Sequence, residues 1–83
     1  MTYSEQKQFL NHCIDFQQLC NANKFLDCHL IIDPLFVRVI CKPKYGFEDH
    51  FEYTLADSLE TLTEDLMSDI EYVMDEHFKI EEL

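Results

Sequence analysis

Residues 35–42 read LFVRVICK. Leu35, Val37, Val39 and Cys41 alternate with Phe36, Arg38, Ile40 and Lys42, and the run is rich in β-branched residues. A period of two in such a composition predicts a strand whose neighbouring side chains point to opposite faces of a sheet. The segments on either side repeat the pattern. Before it, FLDCHLII (residues 25–32) places Leu26, Cys28, Leu30 and Ile32 on one face and Phe25, Asp27, His29 and Ile31 on the other, and Asp33-Pro34 marks a turn. After it comes the loop Lys42-Pro43-Lys44-Tyr45-Gly46. FEDHFEY (residues 47–53) then sets Phe47, Asp49, Phe51 and Tyr53 against Glu48, His50 and Glu52. Connections this short predict a three-stranded antiparallel meander.

Two helices flank these strands in the reading. Over residues 4–22, Phe9, Cys13, Phe16 and Cys20 step by four, three and four, the spacing of one helical face. Leu10, Ile14 and Leu19 widen that stripe, Thr2 with Glu5 suits a capping box with Ser4 as a rival cap, and Asn21-Ala22-Asn23 suits a stop. Over residues 55–78, Leu55, Leu59, Leu62, Leu66, Ile70 and Val73 fall within one narrow arc at about 100° per residue. Thr54 reads as the cap of that helix and Asp57 as a first-turn acid. The expected fold is α+β, in the order α-β-β-β-α, as one domain over residues 1–83. Phe25, Ile31, Phe36 and Ile40 give the sheet a second apolar face. Either each helix covers one face, or a partner subunit covers one and the chain is a homodimer.

A chain of 83 residues is near the lower limit for a self-sufficient core, but at 47% hydrophobic it has the material to fold. The polar opening MTYSEQKQ predicts no secretory leader, and no apolar run approaches the roughly 18 residues of a membrane span. A cytoplasmic protein with reduced thiols is therefore expected, and Cys13, Cys20, Cys28 and Cys41 read as small buried hydrophobes. His12, Cys13, Cys20, Cys28 and His29 lack the paired two-to-four-residue gaps of structural zinc sites, so no metal and no cofactor is expected. No glycine-rich phosphate loop, nucleophile motif or EF-hand loop is present, which argues against an enzyme and assigns no catalytic residue.

Charge is the feature left to explain. Residues 1–47 carry four acids and five bases, whereas residues 48–83 carry thirteen acids and one base, Lys79. The net charge of −11 argues against direct contact with nucleic acid, whose phosphates it repels. On the second helix, Asp57, Glu60, Glu64, Glu71 and Asp75 form one row, and Asp65, Asp69 and Glu76 a second. Glu48, Asp49 and Glu52 add charge from the strand before it. A solvated face that merely keeps the protein soluble would mix signs and use Glu-to-Lys pairs four apart. Here such pairs are absent, and Asp75 and Glu76 oppose the helix dipole. These eleven acids therefore read as a surface for a basic partner.

In this acid pattern the C-terminal half resembles the small phage-encoded inhibitors that imitate nucleic acid: anti-CRISPR proteins, anti-restriction proteins and uracil-DNA glycosylase inhibitors. The resemblance implies a non-enzymatic inhibitor of a nucleic-acid-binding protein, with a CRISPR effector or another nuclease as partner. For a CRISPR effector, it implies the channel where Arg side chains read the PAM bases. Two alternatives share the residues: an immunity protein or antitoxin that caps a basic nuclease, and a dimeric interaction module whose acidic face is only solvated.

Overall fold

The structure, a computed structural model, describes residues 1–24 and 26–78, with Phe78 described by its backbone alone. The elements are α1 (Tyr3–Asn21), β1 (Leu26–Ile32), β2 (Phe36–Pro43), β3 (Asp49–Thr54) and α2 (Leu59–Val73), continued by a π-helical turn over Met74–Phe78. This is the expected α+β order. The sheet is antiparallel with strand order β1-β2-β3. Phe25, the expected first residue of β1, and Lys79 lie outside the described residues.

β2 supplies the middle of the core because it alone is paired on both sides. Val37, Val39 and Cys41 are fully buried, as their alternation requires. Leu26 and Cys28 from β1, Tyr53 from β3 and Leu55 join them, with Phe9, Cys13, Phe16 and Cys20 from α1 and Leu62, Leu66 and Val73 from α2. Both helices thus pack on the same face of the sheet. Neither takes the opposite face, where Ile31 is 43% exposed and Phe36 and Ile40 are half-buried.

Of the two caps the sequence offers, Thr2 is the one used, and α1 starts at Tyr3, one residue earlier than expected. The Thr2 hydroxyl accepts from the Glu5 N–H and the Glu5 carboxylate accepts from the Thr2 N–H, at 3.1 and 3.0 Å, closing the capping box. Its buried stripe is narrower than expected, since Ile14 and Leu19 are only partly covered, at 37% and 43% exposed.

α2 begins four residues later than expected, with Ser58 and not Thr54 as its cap. Thr54 instead ends β3, and the Leu55 N–H donates to the Leu35 carbonyl at 2.9 Å, which continues the sheet pairing. Leu55 is buried by that extension; its phase with Leu59 and Leu62 is a coincidence of spacing. The Ser58 side chain accepts from the Thr61 N–H at 3.2 Å. Ser58→Ala is expected to cost about 1 kcal/mol of stability, and Thr54→Ala no more than about 0.5 kcal/mol, in urea denaturation. The reverse order would restore the earlier helix start. β3 is also shorter at its beginning, leaving Phe47 94% exposed in the loop. Gly46 in that loop has φ 115°, a left-handed conformation that glycine adopts without strain.

Candidate functional site

The wheel of α2 separates its acids by what lies behind them. Leu62, Leu66 and Val73 mark the buried stripe. Glu60, Glu64 and Glu71 project on the opposite side and are exposed. At about 1.5 Å rise per residue, they form a ridge roughly 16 Å long. Asp65 is exposed on the flank between this ridge and the buried stripe, one turn before Asp69. Asp57 is exposed but precedes the cap, in a turn where its N–H donates to the Thr54 carbonyl at 3.1 Å, so it is not a first-turn acid. Asp75 and Glu76 are exposed on the π turn, whose wider winding takes them out of the row that a continuous α-helix would make. Among the described residues, none of these seven carboxylates has an ion pair or a side-chain hydrogen bond. Only Glu60, in the first turn, meets a favourable helix dipole.

Glu52 on β3 and Glu48, which lies in the loop before β3 and not on the strand as expected, are arranged differently. Glu52 sits opposite Arg38 in the β2–β3 register and pairs with it at 3.3 Å. Glu48 lies 3.8 Å from Lys42 and 3.1 Å from His50. Both acids belong to the side of the sheet away from the helices, so they do not extend the α2 ridge. That face is balanced by its own bases, and the Arg38 guanidinium also lies over the Phe36 ring, 5.3 Å from its centroid.

Asp49 and Asp69 turn inward. Asp49 lies 3.3 Å from the His77 imidazole, and its charge pushes the Tyr72 phenol above its ordinary value. Asp69 accepts a 2.6 Å hydrogen bond from the Tyr53 hydroxyl. The reason is helical phase: Asp69 follows Leu62 by seven residues, which returns it to within about 20° of the buried stripe. Asp69 is therefore a packing residue at the inner edge of α2 and not part of an outward row.

Burial raises the Asp69 carboxyl above its ordinary 3.8, the Tyr53 hydroxyl pulls it down, and Asp65 adds a smaller upward push. The folded chain holds that proton more tightly than the unfolded chain does. The resulting stability is present below pH 3.8 and is lost as pH rises through the raised folded value. Asp69→Asn removes this dependence while keeping an acceptor for Tyr53. Its urea midpoint is expected to improve relative to the parent chain as pH rises past 3.8. A difference that stays flat across pH would contradict this account.

The cysteines are all buried, as expected, but three of them also converge. Cys28 and Cys41 are directly opposite in the β1–β2 register, their sulfurs 3.9 Å apart. Cys20, in the last turn of α1, completes a group whose three Sγ atoms lie within 4.8 Å of one another. The side chain of Asn21 holds this end of the helix against β1. Its Oδ1 accepts from the Cys28 N–H at 2.7 Å, and its Nδ2 donates to the Cys28 carbonyl at 3.2 Å. Gln17 Nε2 donates to the same carbonyl at 3.1 Å. Hydrogen bonds from the Cys20 and Cys41 thiols lower the Cys28 pKa, while Cys20 and Cys41 are raised. Burial pushes Cys13, outside this group, up to about 12. His12 and His29, weighed with the cysteines as ligands, are exposed and not part of the group, whereas Cys41 is. Its membership depends on strand register, which spacing along the chain does not reveal.

No helix of the described residues is long and apolar enough to cross a membrane. Comparison with known proteins gives no likeness to set beside this geometry: no family model, no curated protein and no solved structure matches the chain.

Proposed function

We propose that this chain is a non-catalytic cytoplasmic inhibitor that binds a basic nucleic-acid-binding protein through the outer ridge of α2, with a CRISPR effector as the first candidate. One observation carries the reading. Glu60, Glu64 and Glu71, with Asp57, Asp65, Asp75 and Glu76 around them, have no internal counter-ion among the described residues, whereas the outer sheet face supplies bases to Glu48 and Glu52. A chain that needed only solubility would gain a few tenths of a kcal/mol per pair by mixing signs on the helix. Carboxylates held on a rigid helix accept charge-assisted, bidentate hydrogen bonds from arginine as phosphates do. The one-sign ridge also draws a basic surface in from a distance. In this reading Asp49 and Asp69 orient the ridge from behind, and nucleic acid competes for the partner without touching this protein.

The test is affinity capture from a host lysate, with elution in rising salt and identification by mass spectrometry. A nuclease or other nucleic-acid-binding protein, released by salt and displaced by added DNA, is the expected result. Recovery of a salt-resistant neutral partner alone would refute the reading. The isolated protein should respond to salt in the opposite sense. Raising NaCl from about 0.01 to 0.15 M shortens the screening length from about 30 to 8 Å, which relieves repulsion along the ridge. The melting temperature of the protein alone should therefore rise over the range in which the complex weakens.

A second reading has its own observation. Ile31, Ile32 and Leu35 are 43%, 57% and 74% exposed where β1 turns into β2, beside the uncovered face of the sheet. Self-association through that end would cover them. Light scattering over a hundredfold range of concentration tests it, and a constant monomer mass would exclude it.

A further inference from the structure

The three converging cysteines offer a chemistry that the acidic ridge does not use. We propose that Cys20, Cys28 and Cys41 form a three-thiolate site for one soft monovalent metal ion, with Cu(I) as the fitting cation.

The geometry is that of a trigonal site. Three sulfurs held about 2.3 Å from a common centre lie about 4.0 Å apart. The Cys28 and Cys41 sulfurs are 3.9 Å apart, and Cys20 Sγ is within 4.8 Å of both. The arrangement is built by the backbone. Because the N–H and C=O of Cys28 are taken by Asn21, they point away from β2. Cys28 and Cys41 are therefore a non-hydrogen-bonded pair, the type in which facing side chains approach most closely. The Asn21 clamp sits one residue after Cys20 and fixes the end of α1 over that pair.

The donor set selects the ion. Thiolates favour Cu(I), zinc and iron–sulfur clusters among biological metals. Structural zinc takes four ligands. Cys13 precedes Cys20 by seven residues, about 10 Å along the helix, and cannot be the fourth. Among the described residues, no His, Asp or Glu belongs to the group, and the three cysteines are 0–1% exposed, which leaves no open position for water. A cation satisfied by three sulfurs suits this cavity and a four-coordinate one does not. Each thiol that ligates releases its proton to solvent, so the loaded site is anionic. Lys24, Lys42 and Lys44 line a surface pocket with Leu26, Pro43 and one acid, Asp27, two residues along the strands from Cys28 and Cys41, so bases outnumber acids in the lining at that end.

The test is an anaerobic titration of the reduced protein with Cu(I) against a chromogenic Cu(I) chelator. Proton release and thermal unfolding are followed in parallel. One copper per chain, two or three protons released per copper and a raised melting temperature are expected. Cys41→Val, which keeps the strand preference and the bulk, and Cys28→Ser should each lose more than about tenfold in affinity. Cys13→Ala should stay close to the parent chain. The parent protein alone decides the matter if a variant fails to fold. Failure to compete with the chelator, copper that lowers the melting temperature, or binding weakened as much by Cys13→Ala as by Cys28→Ser would overturn the proposal. Preferential retention of Zn(II) over Cu(I) would overturn the three-coordinate assignment.

Discussion

Replacing Glu64 and Glu71 together by lysine is expected to weaken binding of a basic partner by about two orders of magnitude or more, since close charge pairs at interfaces couple by about 1.5–7 kcal/mol each. The effect should fall chiefly on this ridge, because both residues project away from the buried stripe and neither makes an internal ion pair or side-chain hydrogen bond among the described residues. The fold should survive. In Glu64→Lys the new ammonium would follow Glu60 by four residues, in the favourable orientation for a helical ion pair, and in Glu71→Lys it would lie one turn before Asp75. Each reversal also adds two units to a formal net charge of −11. The double variant should therefore melt no lower than the parent chain while losing its partner, a separation that a general folding defect cannot produce. Titration calorimetry against the captured partner, with circular dichroism on the same samples, checks both halves. Unchanged affinity would remove α2 from the interface.

Phe9→Ala should come close to unfolding the protein. Phe9 is fully buried at the start of the α1 stripe, and truncation of such a ring costs about 3–5 kcal/mol. It also loses the edge-to-face contact with Tyr53, whose ring lies 5.4 Å away at 75°. The whole stability expected for 83 residues is about 4–12 kcal/mol, so most of it is at stake. The damage would reach the acidic helix as well, because Tyr53 carries the hydrogen bond that holds Asp69. Phe47→Ala is the control: that ring is 94% exposed, and its loss should change the urea midpoint little. Equal effects from the two would refute the described core.

Periodicity is legible in sequence wherever one face of an element is buried against the rest. Val37, Val39 and Cys41 on β2, and Phe9, Cys13, Phe16 and Cys20 on α1, announce themselves this way. The late start of α2 is not legible by that route. Leu55 is in phase with the helix although it belongs to the end of the sheet, and only the hydrogen bond to Leu35, twenty residues earlier, separates the two. The candidate surface is legible as composition but not as arrangement. The outward ridge follows from the wheel. Pairing of Glu48 and Glu52 depends on which bases the register sets opposite them. The inward turn of Asp69 depends on how α2 rotates against Tyr53. The thiol group is the extreme case: its three members come from three elements, and no spacing along the chain marks them.

β1 is one of the two outer strands of the sheet, and a strand with free backbone groups is a template for a further strand from another molecule. Midway along β1, the Asn21 carboxamide matches the Cys28 N–H and C=O as a neighbouring peptide group would, with Gln17 as a second cover. The chain thus occupies its own growth site with a side chain. An incoming strand must displace both residues before it can add. On this flank, resistance to amyloid-like stacking rests on two carboxamides as well as on the net charge.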